Sequence, residues 1–286
     1  MRGKTFLNFL TILGLLLFCS SGSAQSPCHE VYGVGERSLR VATGSPGELG
    51  LLKVLGEAFA REAEASLCWV KAGSGESFQL LRQKKVDVIL VHAPEAEKKA
   101  VQEGWATHRT LIGFNEFFMV GPPEDPAAIA GSADVTEAFQ RIALRQARFF
   151  SRGDDSGTHR KELSIWRQAG IQPEGEWYRV TRTFMTASLK KAHDEKGYFL
   201  TDSSTWVMEK SRLPHLRVLY RGDPLLINAY HGLTQPSGAT PGAALGPRFL
   251  DFLASDHGQQ LIAEFGKDRF GQGIYQNTRS YRKGVN

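Results

Sequence analysis

Cysteine is scarce in this chain. Three in 286 residues cannot knit a disulfide scaffold, and they form no CxxC pair. No His/Cys cluster has the spacing of a metal site, so neither a metal nor a cofactor is expected. Charge of one sign is nowhere concentrated, and basic residues do not alternate with aromatics. That removes nucleic acid as an expected partner. Beyond the N-terminus no run approaches the roughly 18 apolar residues of a membrane helix. Enzyme signatures are missing too: there is no Gly-x-Ser-x-Gly elbow, no HExxH and no carboxylate pair at a persuasive spacing.

What is present begins with an export signal. Arg2 and Lys4 precede an apolar stretch over 6–18, and the small residues Gly22 and Ala24 suit a cleavage site after Ala24. Residues 1–24 are therefore expected to be removed and the protein to be periplasmic. Phe18 directly before Cys19 argues against lipid attachment at that cysteine. Loss of the segment lowers the formal net charge from +5 to +3, because Arg2 and Lys4 go with it and no acid does. Cys28 and Cys68 then remain in an oxidising compartment, where a Cys28–Cys68 bridge is expected. The competing possibility is a Cys68 thiol buried beside Trp69.

The mature length suits two lobes of roughly 100–150 residues, and 41% hydrophobic residues supply two cores. Strand and helix patterns alternate, which favours an α/β fold with mainly parallel sheets. Strands are read at 39–43, 67–71, 86–91, 110–112, 116–120, 147–151, 198–201, 216–220 and 226–230. Helices are read at 48–65, 73–85, 94–101, 136–146, 184–194, 243–254 and 257–265, with one more following residue 157. Gly121-Pro122-Pro123 breaks the pattern, and Gly222-Asp223-Pro224 marks a later turn. The expected organisation is one discontinuous lobe, 28–120 plus 226–286, and a second lobe over 121–225.

In parallel sheets ligands sit beyond the carboxyl ends of strands. Three polar, Gly-containing loops occupy that place, at 43–47, 73–75 and 151–158. The third reads Ser151-Arg152-Gly153-Asp154-Asp155-Ser156-Gly157-Thr158-His159. It sets a guanidinium, two hydroxyls and a loosened backbone at a helix start, where unpaired N–H groups favour an anion. The bland alternative is a helix cap at Asp155 or Ser156. Thr43, Ser45, Ser74, Arg152, Ser156, Gly157 and Thr158 are the candidate oxyanion ligands. His92, at a strand end, and Met185, at a helix start, are the candidate cleft-lining residues. His159 reads as solvent-facing. Asp154 and Asp155 are expected to turn away, with Asp155 capping the helix or pairing with Arg152 or Arg160.

At these loops the chain resembles the periplasmic tungstate-binding proteins of bacterial tungstate ABC transporters. The likeness spans roughly 39–275. It rests on Leu90-Val91-His92-Ala93-Pro94-Glu95-Ala96-Glu97, on the 151–159 string with Lys161-Glu162-Leu163 and Trp166, and on Trp177-Tyr178. Leu200-Thr201-Asp202 and Gly222-Asp223-Pro224 add to it. The resemblance implies a type II periplasmic-binding-protein fold: two α/β lobes, a two-strand hinge and a ligand in the cleft. It places oxyanion contacts on Thr43, Ser45, Ser74, Arg152 and Thr158. The chain departs from the family at Ala42 and Gly44, at Leu49, at Arg182-Thr183-Phe184 and at Ser203-Ser204, where polar or glycine positions differ.

The expected action is capture of tungstate, or of molybdate, by a monomer that closes on it and meets an ABC permease. Both ions are tetrahedral dianions without a proton at neutral pH, so their site should offer donors only. Hydrogen phosphate is the better guest if Asp154 or Asp155 projects into the cleft. Two further roles compete with uptake. One is delivery of the anion to a sensor; the other is a secreted hydrolase using Ser74 or Ser156 with His92 or His159.

Overall fold

The computed structural model describes residues 27–279. The expected signal segment and Cys19 lie outside the described residues. The chain opens with strands β1 (Glu30–Tyr32) and β2 (Arg37–Thr43), the one-turn helix α1 (Ser45–Glu48) and α2 (Leu51–Ala63). Then come β3 (Ala65–Lys71), α3 (Ser74–Arg82), β4 (Val88–Val91) and α4 (Pro94–Gln102). A long strand, β5 (Thr107–Gly121), leads to α5 (Val135–Leu144), β6 (Phe149–Ser151), α6 (Gly157–Gln168) and β7 (Tyr178–Val180). The chain continues through α7 (Met185–Asp194), β8 (Tyr198–Asp202), α8 (Ser203–Glu209) and β9 (Arg217–Tyr220). Strand β10 (Ile227–Thr234) returns, and α9 (Leu245–Ala254), α10 (Asp256–Glu264) and α11 (Lys267–Phe270) finish.

The strands run in the order β1-β3-β2-β4-β10-β5-β8-β6-β7, with β9 beside β5. Each half is built on a parallel triplet, β3-β2-β4 in one and β8-β6-β7 in the other. Antiparallel β5 and β10 join them. β5 pairs with β10 as far as Glu116 and with β8 from Phe117, so the chain changes sheets between those two residues. Each sheet is covered by helices, and each half has its own apolar interior. Leu39, Leu52, Phe59, Leu67 and Phe249 pack in the first; Phe117, Phe139, Phe149, Trp166 and Tyr198 pack in the second.

The local reasons are plain in the residues. β4 is Val-Ile-Leu-Val, buried along its whole length, as a central parallel strand requires. α2 buries Leu51, Leu52, Leu55, Ala58 and Phe59, a helical stripe. The helix expected over 48–65 is split, because Gly50 adopts φ 91 and ends α1 there. The two strands expected at 110–112 and 116–120 are one. Gly113 and Asn115 keep their pairing to Tyr230 and Asn228, and a bulge after Tyr230 absorbs the register change. Short β1 and β7 and helix α8 carry too few periodic residues to be read beforehand.

A disulfide joins Cys28 to Cys68 of β3. It stitches the start of the described chain to a core strand, a closure that typically contributes about 2–4 kcal/mol. Among the described residues no helix is long and apolar enough to cross a membrane.

Beneath the 151–159 loop, Glu162 of α6 is buried among aromatics. Tyr178 donates to its Oε1 at 2.6 Å and Trp166 at 3.2 Å. Trp177 and Tyr178 thus anchor the second interior. Burial pushes the Glu162 carboxyl up from its ordinary 4.5 to about 7. Between those values the unfolded chain binds fewer protons than the folded one, so stability falls as pH rises. Urea unfolding is expected to lose about 3 kcal/mol from this group between its two pKa values. Glu162→Gln, which keeps an acceptor, is expected to flatten that slope; a slope that persists in the variant would assign it elsewhere.

Candidate functional site

Three helices start at the carboxyl ends of parallel strands: α1 after β2, α3 after β3 and α6 after β6. The pairing of Thr43 with Lys71 sets the first two starts side by side. The third comes from the other half, and a Cβ built on Gly73 would lie 3.5 Å from Ser156. With Arg152, His92, Phe184 and Tyr230, these starts enclose a cavity of about 10 Å3, room for one water. Unpaired N–H groups and positive dipole ends therefore converge from both halves.

Thr43, Ser45 and Ser74 line the cavity from the first half, and Arg152 and Ser156 from the second. Thr43 gives its hydroxyl proton to Leu90 O at 2.9 Å, so it braces β2 against β4. Ser74 Oγ accepts from His92 N at 3.5 Å and keeps its own proton to give. Ser156 caps α6 by accepting from His159 N at 3.3 Å, which also leaves its proton free to be donated. Gly157 and Thr158 form the buried first turn of α6. Thr158 Oγ1 is buried without a hydrogen-bond partner.

Arg152 is only 4% exposed. Its Nη2 meets Asp154 Oδ2 at 2.6 Å, and Nε donates to Thr183 O at 3.3 Å. Its guanidinium carbon stands 5.7 Å from the Phe184 ring. Asp154 spends its second oxygen on Ser156 N at 3.2 Å. Asp155 pairs with Arg160 at 2.9 and 2.8 Å. Neither aspartate lines the cavity, and its wall holds no carboxylate.

His92 lines the wall and is held from behind. Its Nδ1 lies 2.7 Å from Asn228 Oδ1, and Asn228 Nδ2 donates to Asn115 Oδ1 at 2.7 Å. Asn115 Nδ2 in turn donates to Ser204 Oγ at 3.0 Å, and Ser204 donates to the Asp202 carboxylate. Because this chain of donors ends on a carboxylate, His92 must carry its proton on Nδ1. Burial lowers its pKa to about 4, so the ring is neutral at physiological pH. The same relay crosses β10 and β5 and reaches the start of α8.

Two expectations change. The cavity position foreseen for Met185 belongs to its neighbour Phe184; Met185 is buried in a separate apolar cluster with Phe118, Phe150 and Phe199, and its sulfur accepts from Thr201 at 3.7 Å. His159 does not simply face solvent: its half-buried ring accepts from Asp155 N at 3.1 Å. Tyr230, Asn115 and Asn228 were not foreseen. Each reads as an ordinary strand residue, and their partners are far away in sequence.

Outside His92 and Gly157 lies a groove of about 480 Å3 between α4 and α6, lined by Glu95, Asp155, Arg160, Lys161 and Arg167 among others. Two contacts close the halves here. A Cβ on Gly157 would sit 2.5 Å from the His92 ring, and one on Gly75 would strike Asp155.

Two α/β halves on a pair of crossing strands, meeting around an anion-favouring pocket, define a bilobed substrate-binding protein. The chain matches the PBP superfamily domain over residues 30–257 and belongs to that superfamily. It is 31% identical to the tungstate-binding protein TupA of Peptoclostridium acidaminophilum, over 95% of this chain and 98% of that one. A solved structure titled as the tungstate ABC transporter from Geobacter sulfurreducens is 33% identical, with TM-score 0.72, over 80% of this chain and 99% of that one. Tungstate-binding TupA from Desulfovibrio alaskensis G20 is 32% identical, with TM-score 0.70, over 84% and 98%. Within the superfamily the chain belongs to the family of these TupA proteins.

The His92 ring is pinned by Asn228 and packs against Tyr230, so it cannot easily yield to a larger residue 157. Gly157→Ala is expected to hold the halves apart. Small-angle scattering should show a larger radius of gyration, with urea stability within about 1 kcal/mol of the parent. An unchanged radius would mean that the ring moves instead.

Proposed function

We propose that this protein captures a tetrahedral oxyanion, tungstate first and molybdate second, and delivers it to an ABC permease. The observation that carries the reading is the cavity wall: serine hydroxyls, helix N-termini and one buried arginine, with no carboxylate. A fully deprotonated dianion needs donors only, whereas hydrogen phosphate gains from an acceptor such as a carboxylate. The names of the TupA relatives support the same choice. Export by the N-terminal signal to the periplasm fits that role.

A cavity of about 10 Å3 is too small for a tetrahedral oxyanion, so both entry and the anion-bound closed form require the halves to stand further apart about β5 and β10 than they do here. In this reading residues 28–120 with 226–286 form one moving lobe and 121–225 the other. The anion is held by Ser45, Ser74, Arg152, Ser156 and the Gly157–Thr158 backbone, with Thr43 supporting the first loop. Contacts to both lobes stabilise the closed form. The action is binding, not catalysis. His92 turns its free Nε2 toward Gly157 and His159 Nδ1 accepts from Asp155 N, and among the described residues no serine hydroxyl bonds to either ring.

Isothermal titration with tungstate, molybdate, sulfate and phosphate tests this. Heat is expected with tungstate and molybdate, and Arg152→Ala should weaken tungstate about ten- to a hundredfold, the range of a charged hydrogen bond. No heat with any of the four would end the transport reading.

A further inference from the structure

Strand β10 brings a residue to the cavity that belongs to neither set of loops. Tyr230 lines the wall together with Arg152, Ser74 and Ser156. It shares a face of β10 with Asn228, two residues earlier, and both side chains meet His92. Its ring packs on His92 at 4.7 Å and edge-on to Tyr275 at 5.9 Å. The ring position is thereby fixed by packing.

The hydroxyl is different. Tyr230 is 5% exposed, and its phenol oxygen is buried with no hydrogen-bond partner. Native proteins rarely leave a buried hydroxyl unpaired without a reason. Burial, with Tyr275 and Asp202 nearby, holds the phenol well above its ordinary pKa, while Asn228 and then the charge of Arg152 act in the opposite sense. At neutral pH the group is therefore a protonated donor within the influence of the cavity's guanidinium.

We propose that the Tyr230 hydroxyl is a direct ligand of the bound oxyanion, offered by the hinge strand itself. The proposal rests on the oxyanion reading above and adds a donor to it. Ser45 and Ser74 hold the guest to one half, and Arg152 and Ser156 hold it to the other. Tyr230 fixes it against the strand about which both halves turn. The anion then satisfies a hydroxyl that the protein alone leaves unpaired.

Tyr230→Phe removes the oxygen and keeps the ring. Calorimetry with sodium tungstate is expected to give a dissociation constant at least about tenfold weaker than the parent's. The ligand-free variant should melt at the parent's temperature or above it, because an unpaired buried hydroxyl has been removed. In the parent, with tyrosine labelled at carbon ζ, tungstate should shift one resonance that the Phe variant lacks; this arm serves even if the variant folds poorly. An unchanged dissociation constant, a lower ligand-free melting temperature with no change in affinity, or an unmoved resonance would overturn the proposal. A parent that binds tungstate while the variant is unaffected defeats this proposal alone. A parent silent with tungstate, molybdate, sulfate and phosphate defeats the oxyanion reading and this proposal with it.

Discussion

A guanidinium shut away from water must have a counter-charge on hand. Arg152 finds it two residues along its own loop, in Asp154. That pairing shapes everything around it. Asp154 uses its other oxygen to hold Ser156 N, which orders the loop at the point where α6 begins. Ser156 then caps the helix, and Gly157 opens it against His92. The string that looks like an anion site in sequence is also a self-contained electrostatic unit, and Arg152 is prepositioned by it.

The opposite wall is organised by a different principle. His92 has no charge to settle, and its orientation comes from an amide relay through Asn228 and Asn115 to Asp202. Those asparagines sit directly across from each other on β10 and β5. The strands that join the halves thus also set the tautomer of a cavity residue. Position of the halves and chemistry of the wall are mechanically linked through two side-chain amides.

Much of this was legible beforehand. The alternation of strand and helix and the three polar loops followed from residue type and position, and the pairing of Asp155 with Arg160 was one of three arrangements open to it. Gly50 was visible as a glycine, but the leucine stripe after it outweighed the break. Phe184 lost the cavity to Met185 in the reading because a one-residue shift at a helix start rotates which side chain faces inward. Tyr230 and Asn228 were hidden for a different reason. Their roles depend on β10 lying between β4 and β5, a neighbourhood that no local pattern encodes. The 151–159 loop could be read because its partners are its own neighbours.

The Arg152–Asp154 pair has one more consequence. Since the cation is already balanced within its own loop, the cavity itself would offer a bound dianion little uncompensated charge. Its field is met by peptide dipoles at the helix starts and by hydroxyls, whose pull fades within a turn of helix. On the proposed reading, the strength of the hold then depends on fit at short range. Short-range contacts inside a closed cavity are screened little by salt, so affinity on that reading should hold when the ionic strength of the surroundings swings.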